Sequence, residues 1–575
     1  MRRIIIAAAF CLAAVTAGAQ TMSEAFNYTD NNYYGTARSM ALGNAVTALG
    51  GDLGTIGINP AGSAIAPYSQ FTISPGVTLL TNTSAYSTRY DEDYSNYLTN
   101  RENKFIVPNI ALAMKMDTGK RSGIRSYTIG FAANTTNQYL NSFVGRGTNY
   151  DTSILGSFGA GASPYSPSEL NNFNNFRDSS IPWNYLLAYQ SGMIADAYDE
   201  YGQQMVDDAG YYTYLGASEA MYNNGDGTYD IRTPGALDQL SSVYSYGSAT
   251  DIIMNVGFNC SDNFYFGFNL GIPVATYGYS EYFRESAVDP SLFGIEYMDG
   301  NVANFSYSTY GYSQNTDVTG AYAKLGFIWL PFGGLRVGAA FQTPTAMTIK
   351  DRWYLEGATN FTDSRYNTTA SSPDNEYSYN LTSPWRFNAG IAYTCGLGLL
   401  SADFEMADYS TMRFSTIDEG GFSYPDYFSV ENSVFKEFAG MQYAGRFGAE
   451  IKLTPDFALR AGYTFKTSPE YYRYDTFGDK YSSTGYLNWY DEFDSGRDKL
   501  FEREAFPDMV TTVSGGFGYS SAGSFFADVA LRCTKYSTSY FNPYSDYISG
   551  NDDYLPETMQ TRKLTDVVLT LGWRF

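Results

Sequence analysis

The sequence of 575 residues contains no histidine and only four cysteines. The absence of histidine excludes Ser-His-Asp and Cys-His catalytic arrangements and every His-ligated metal site. Three of the cysteines, Cys260, Cys395 and Cys533, follow the N-terminal region and show no metal-binding spacing. The formal net charge of -23 argues against nucleic acid binding, which needs clustered lysine and arginine. The sequence therefore predicts a protein that is not an enzyme and that has no cofactor, no metal and no nucleic acid partner.

Long apolar runs are also scarce. The only one, Ile4–Val15, follows Arg2 and Arg3 and precedes the small residues at 17–19. This order is typical of a secretory signal peptide, so we expect residues 1–19 to be removed. The rest of the chain lacks the roughly 20 consecutive apolar residues that a membrane-spanning helix needs. The mean hydropathy of the whole sequence, -0.28, is that of a soluble protein.

The C-terminal residues nevertheless indicate a membrane strand. Every second residue is apolar, and small or polar residues lie between: Val567, Leu569, Leu571, Trp573 and Phe575, against Thr570, Gly572 and Arg574. A spanning β-strand needs only about 9–11 residues, half of which face the lumen. Bacterial outer-membrane barrels end in such a strand. We therefore expect the barrel-assembly machinery to recognise the strand that ends at Phe575.

Fourteen segments of the chain show period-2 alternation. They are 69–80, 104–116, 126–139, 249–260, 263–274, 317–330, 334–346, 383–395, 398–409, 437–453, 457–467, 508–519, 524–537 and 564–575. Short and long connections alternate between them, and the longest covers 140–248. Short periplasmic turns, long extracellular loops and an even strand count are typical of outer-membrane barrels. The sequence thus predicts an all-β protein whose residues 67–575 form a 14-stranded antiparallel transmembrane β-barrel.

Five charged residues lie between apolar neighbours in the predicted ninth, tenth and eleventh strands. A charge on the lipid-facing side would cost roughly 2–4 kcal/mol, so these side chains must face the lumen. Opposite signs can pair there, which favours a structural salt-bridge network over direct ligand contact. The predicted network consists of Asp403, Glu405, Arg446, Glu450 and Arg460.

A motif precedes the first predicted strand. It comprises Gly35, Ala37, Arg38, Met40, Gly43 and Ala45, followed by Asn59-Pro60-Ala61-Gly62. It resembles the N-terminal hatch of the outer-membrane long-chain fatty acid and aromatic hydrocarbon transporter family (FadL/TodX type). The segment Gly445–Glu450 resembles the same family. The resemblance implies that residues 20–66 are a hatch, or plug, inside the barrel, with gating residues Gly35, Arg38, Met40, Gly43, Asn59, Pro60 and Ala61.

Elementary arguments agree with a plug. A segment of this length is too short to fold independently, and a barrel would supply the missing buried surface. Arg38 is a single cation in a weakly charged segment, so inside a lumen it needs an anionic partner. We expect that partner to be Asp403 or Glu405.

Two further segments leave alternatives open. A helix predicted over 182–194 carries Trp183, Leu186 and Leu187 on one face, which either packs on the barrel rim or forms a groove that captures a greasy ligand. The alternation of the third strand stops at 134–137. Either the strand emerges into solvent there, or the wall is interrupted by the lateral window that the resembling family has.

Together these features predict a passive outer-membrane channel for hydrophobic small molecules in a Gram-negative bacterium. Fatty acids or similar apolar compounds are the ligands that the resemblance implies. They would bind among the loops and then in the lumen, and would leave past the plug, with lateral exit as one route. We expect a monomer surrounded by outer-membrane lipid. The alternative is a barrel that binds protein partners through its loops, in a surface assembly, secretion or adhesion complex.

Overall fold

The computed structural model describes residues 21–88, 96–199, 201–207, 209–225, 228–297, 300–417, 425–475, 480–483, 500–521, 523–545, 547 and 555–575. The predicted signal peptide, residues 1–19, and Gln20 lie outside these ranges. Within them, no helix has the length and apolar character required to cross a bilayer.

Fourteen antiparallel strands form one closed barrel, as the alternation predicts. Each strand pairs with its neighbours in chain order, and β1 pairs with β14 to close the wall. The strands are β1 (Gln70–Ser87), β2 (Tyr97–Asp117), β3 (Ile124–Gln138 and Asn141–Asn149), β4 (Leu237–Cys260), β5 (Phe264–Ala287), β6 (Val302–Trp329), β7 (Leu335–Gln342 and Ala346–Phe361), β8 (Asn375–Thr382 and Arg386–Cys395), β9 (Gly398–Asp408), β10 (Met441–Lys452), β11 (Phe457–Thr467), β12 (Met509–Ser520), β13 (Phe525–Phe541) and β14 (Glu557–Arg574).

Several strands are much longer than predicted. β6 has 28 residues, which at about 3.3 Å each exceeds the roughly 30 Å thickness of a bilayer core. The prediction missed its first fifteen residues because the outer face there is polar or tyrosine-rich, so apolar alternation ends while backbone pairing continues. We call this end of the barrel the long-loop end and the opposite end the short-turn end.

The facing of side chains follows the predicted alternation. Phe447, Leu459 and Leu569 are exposed on the outer face, whereas Arg446 and Arg460 are buried on the inner face. Prolines interrupt two strands, at Pro344 in β7 and Pro384 in β8, because proline has no N–H to donate to the ladder.

The segment 21–66 lies inside the barrel, against the inner faces of the strands, and we call it the hatch. Its helices are α1 (Met22–Thr29) and α2 (Ala37–Ala41), followed by 3-10 turns at Leu53–Thr55 and Pro60–Ile65. Each of these begins at a side chain that accepts a backbone N–H: Thr21, Thr36, Asp52 and Asn59. The local sequence therefore sets where the turns of the hatch begin.

The connections at the long-loop end carry the remaining elements. They include α3 (Ile154–Ala162), α4 (Pro167–Leu170), α5 (Asn175–Asp178), α6 (Trp183–Gln190) and α7 (Ser429–Phe438), with short strands at Ile194–Asp196, Tyr214–Gly216, Ala220–Asn223, Tyr229–Arg232, Gly294–Glu296, Thr368–Ser371, Arg413–Thr416, Tyr471–Tyr474, Lys480–Tyr481 and Arg503–Ala505. The loop between β3 and β4 shares a hydrophobic core with the upper parts of β5, β6 and β7.

Candidate functional site

Cationic side chains of the barrel wall hold the backbone of the hatch. Lys324 Nζ donates to Gly57 O at 2.7 Å, and Arg336 Nη1 donates to Leu49 O at 2.6 Å. Charge-assisted hydrogen bonds of this kind are stronger than neutral ones. These two contacts attach the hatch backbone to β6 and β7.

A second set of contacts joins Arg38 of the hatch to the predicted charge network. Arg38 Nε lies 3.1 Å from Glu450 Oε2, and Arg460 Nε lies 2.6 Å from the same oxygen. Arg460 also pairs with Asp528 at 2.5 Å. The prediction that Arg38 pairs with Asp403 or Glu405 was wrong, because both carboxylates already have other donors.

Those other donors explain the correction. Glu405 lies between Arg386, at 3.0 Å, and Arg446, at 2.7 Å, and all three side chains are almost fully buried. Asp403 Oδ2 accepts the backbone N–H of Thr47 in the hatch at 2.7 Å. The five predicted lumen charges therefore face inward together. They bind the hatch and one another.

The motif residues of the hatch are buried and closely packed. Gly43 has a φ of +61°, and a Cβ there would lie 3.0 Å from the backbone nitrogen of Tyr463 in β11. Asn59 Nδ2 donates to Thr47 O at 2.7 Å and to Phe327 O of β6 at 3.0 Å, while its Oδ1 accepts the N–H of Ala61. Gly35, Met40 and Pro60 are likewise inaccessible to solvent. These contacts make the motif a packing unit of the hatch.

A cavity of about 480 Å³ lies in the lumen between the hatch and the long-loop end. Residues of α1 and the following turn form its floor, among them Phe26 and Asp30. Its walls include Tyr139 and Phe143 of β3, Tyr277 of β5, and residues of β11 to β14. Aromatic rings and polar groups both line this surface, so it suits an amphipathic molecule.

Glu24 of α1 is a half-buried carboxyl group that faces the buried Asp351 of β7. Burial, reinforced by the negative charge of Asp351, raises the pKa of Glu24 to about 8. Gln314 Nε2 lies 3.4 Å from an oxygen of each carboxyl group. The raised pKa favours the protonated form of Glu24, which avoids two adjacent negative charges.

The wall beside the cavity is interrupted between β2 and β3. These strands pair only between Asn109–Asp117 and Ser126–Asn134. Within the described residues, the part of β2 from Tyr97 to Pro108 pairs with β1 alone. The second half of β3 bends inward instead, where Ser84 Oγ of β1 donates to Val144 O at 2.7 Å. We call this unpaired edge of the wall the gap.

The bend starts where the alternation of β3 was predicted to stop. The register between β3 and β4 shifts between Thr135 and Asn137. Across from it, Gly247 of β4 has a φ of +115°, where a Cβ would lie 2.0 Å from Thr276 O. Of the two alternatives for 134–137, the pairing agrees with an interruption of the wall, since β3 continues beyond it into a second paired segment.

Side chains cross the gap in place of backbone hydrogen bonds. Asn96 Nδ2 donates to Arg146 O at 2.9 Å, and Asn100 Nδ2 donates to Ser142 Oγ at 3.2 Å. Lys104 Nζ donates to Gln138 Oε1 at 3.3 Å and to Gly247 O at 2.9 Å. We call these three donors the polar seal.

The hatch supplies hydrogen bonds to the bend itself. The backbone N–H groups of Asn32 and Tyr34 donate to Thr136 O at 2.8 Å and Thr135 O at 2.9 Å. The Asn32 side chain donates to Asn137 Oδ1 at 2.9 Å and accepts from Lys466 Nζ at 2.6 Å. Hatch and bend are therefore one hydrogen-bonded unit.

The predicted loop helix is α6, which ends at Gln190 rather than Ile194. Leu186 and Leu187 are fully buried in the loop core, and the ring of Trp183 lies 5.9 Å from that of Trp353 in β7. This placement is packing on the rim of the barrel. A capture groove at these residues stays a prediction.

Sequence reasoning missed the wall cations that bind hatch carbonyls, such as Lys324 and Arg336. The signal was present, because both occupy inward positions of strands, as Arg446 and Arg460 do. It also missed the polar seal, because a side chain that bridges two strands leaves no pattern along one strand. Among the described residues, no group of three or more cysteine, aspartate or glutamate side chains is arranged to hold a metal.

No protein-family model matches the chain, and no curated protein sequence matches it. Solved structures do match. A Pseudomonas aeruginosa FadL homologue is 12% identical with a TM-score of 0.47, covering 95% of this chain and 98% of its own. The P. putida toluene transporter TodX is 11% identical with a TM-score of 0.45, covering 95% and 99%. The Ralstonia pickettii toluene transporter TbuX is 12% identical with a TM-score of 0.42, covering 96% and 100%.

The first two of these structures carry the names of the family that the N-terminal motif resembles. At such identities and scores the likeness concerns architecture, and we take no substrate from it.

Proposed function

We propose that this chain is an outer-membrane channel of a Gram-negative bacterium for the passive uptake of apolar or amphipathic small molecules, and not an enzyme. The observation that carries the proposal is the lumen cavity of about 480 Å³ between the hatch and the gap in the wall. Among the described residues, the neighbouring strands are paired around the rest of the barrel, so the cavity has a floor and one interrupted side. A ligand pocket is normally a preformed cavity of this size range.

The proposed route has three stages. A molecule binds first among the long extracellular loops, and then moves into the lumen cavity. It leaves sideways through the gap into the bilayer, after the polar seal opens and the hatch segment 30–34 shifts. The charged contacts between wall and hatch favour this lateral exit, because axial release past the hatch would break the Arg38–Glu450 ion pair and the hydrogen bonds of wall cations to hatch carbonyls.

Membrane residence follows from the apolar outer face of the barrel, which outer-membrane lipid would cover. We propose that the barrel-assembly machinery recognises β14 and the terminal Phe575, and that the protein acts as a monomer. The printed names of the similar structures describe a FadL homologue and toluene transporters, in agreement with this assignment.

Whole-cell uptake tests the proposal. Cells that lack their own outer-membrane channel for such compounds should take up radiolabelled dodecanoate or toluene faster when they express this chain than with an empty vector. A variant without residues 21–66 should pass hydrophilic dyes that the intact chain excludes. Uptake equal to the empty vector for both compounds would contradict the proposal. A stoichiometric protein partner on purification would then support the scaffold alternative.

A further inference from the structure

One cation of the cavity wall lacks an anionic partner. Arg562 of β14 points inward, and its guanidinium carbon lies 3.7 Å from the ring centre of Tyr536 in β13. Within the described residues, no carboxylate lies within ion-pair distance of Arg562, and its buried Nε has no hydrogen-bond partner. A buried donor without an acceptor destabilises the structure, so an acceptor from a ligand would be favourable there.

The other charged groups of the cavity do not offer such a site. Lys466 Nζ lies 2.7 Å from each carboxylate oxygen of Asp30 and 2.6 Å from Asn32 Oδ1. Asp508, the remaining carboxylate in the lining, is exposed. Arg562 is thus the cation of this cavity that is free to bind an anion, and its guanidinium lies over the Tyr536 ring at the cavity wall.

The other residues that line the cavity further restrict the chemical class of the ligand. Amide, hydroxyl and charged side chains outnumber apolar ones, and they include Asn27, Asn141, Ser245, Gln442 and Ser537. A plain hydrocarbon would displace water from these groups without replacing its hydrogen bonds. A site built to form hydrogen bonds discriminates strongly against such a molecule.

We propose that Arg562 and Tyr536 form an anion subsite, and that the preferred ligands are amphipathic organic acids that carry hydroxyl or amide groups along their body. The inference rests on the proposed function and names its substrate class. The acid group binds the guanidinium of Arg562, the apolar part contacts the tyrosine and phenylalanine rings, and the additional polar groups replace water on the amides.

Binding to the purified full chain in non-ionic detergent tests this. The probes are dodecanoate, dodecanol and ω-hydroxydodecanoate, measured by calorimetry. We expect dodecanoate to bind about tenfold or more tightly than dodecanol, and ω-hydroxydodecanoate to bind severalfold more tightly than dodecanoate. Arg562→Gln should abolish the preference for the acid, and Arg562→Lys should retain part of it.

The control is Arg574→Gln, which removes an inward cation from the same strand but at the short-turn end. Arg574 donates to Ser520 Oγ at 2.9 Å and lies against Phe526, away from the cavity lining. The acid preference should survive this change. Heat-modifiable migration on a gel establishes that each variant is folded.

The outcomes separate the two proposals. Equal affinity for acid and alcohol in the wild type, or an acid preference that survives Arg562→Gln, would overturn the anion subsite while the channel stands. Tighter binding of dodecanoate than of its ω-hydroxy derivative would overturn the hydroxylated ligand class. Absence of binding by all three probes, together with uptake equal to the empty vector, would overturn the proposed function itself.

Discussion

Two strand pairs of the barrel wall, β14 with β1 and β2 with β3, differ in the extent of their backbone hydrogen bonding. At the seam between β14 and β1, pairing runs in one register from Gln70 opposite Arg574 to Ser87 opposite Glu557, and is missing only at Ser74 and Pro75. At the gap, β2 and β3 pair over nine residues each and then separate. The seam joins the two ends of the barrel, yet it is the continuous contact. The gap lies between strands joined by a short turn.

The difference lies in what replaces the backbone ladder. On the seam, side chains add to backbone pairing, as where Thr78 Oγ1 donates to Asp566 Oδ1 at 2.6 Å. Across the gap, the side chains of the polar seal join β2 to β3 in place of a backbone ladder. A net side-chain hydrogen bond contributes about 0.5–1.5 kcal/mol, so the four hydrogen bonds of the polar seal can open in a local fluctuation. A long ladder of backbone hydrogen bonds costs much more free energy to open.

The strongest test is to lock the gap. Cysteines at Asn100 and Ser142, whose side chains are in contact, should form a disulfide in a chain without Cys260, Cys395 and Cys533. Oxidation should reduce uptake to the empty-vector level, because the ligand exits there, and reduction should restore it. The measurement is uptake with and without dithiothreitol.

The matched control places the same bridge across the seam, at Thr83 and Thr561, which face each other. Oxidation there should leave uptake unchanged. Full uptake through the oxidised Asn100–Ser142 variant would contradict a lateral route.

A smaller effect is expected from Asn32→Ala. The change removes the side-chain bonds to Asn137 and Lys466 but leaves the backbone bonds to the bend. Loss of about 1–2 kcal/mol should raise hydrogen exchange at 135–138 roughly tenfold. Exchange at Thr78 on the seam, measured in the same sample, should not change. If the substitution does not change the exchange rates at 135–138, the Asn32 side chain does not hold the bend.

The smallest effect is expected from Lys104→Met, which keeps side-chain length and removes one donor of the polar seal. The open form should be favoured by about 1 kcal/mol, so uptake should rise about fivefold at most. Leu79→Met, an exposed change on the neighbouring strand, serves as the control. Reduced uptake by the Lys104 variant would mean that this lysine guides the ligand and does not seal the gap.

Much of the fold was predictable from local patterns. Alternation identified all fourteen strands and the inward side of Arg446 and Arg460, because side-chain direction in a strand depends only on parity. It failed at the upper ends of β4 and β6, where polar and tyrosine side chains on the outer face end the apolar alternation. The bend in β3 left a trace in the run 134–137, but two structures were compatible with it.

Parity along the chain specified the barrel, its closure through the C-terminal strand and the faces of its charges. Alternation could not predict which residues that are far apart in the sequence come into contact. Arg38 pairs with Glu450, 412 residues away, because Glu405 is occupied by two other arginines. The gap, the polar seal and the unpaired Arg562 are likewise relations between strands, and a strand carries no local record of which neighbour is missing. Those relations existed only once the barrel had closed around its hatch.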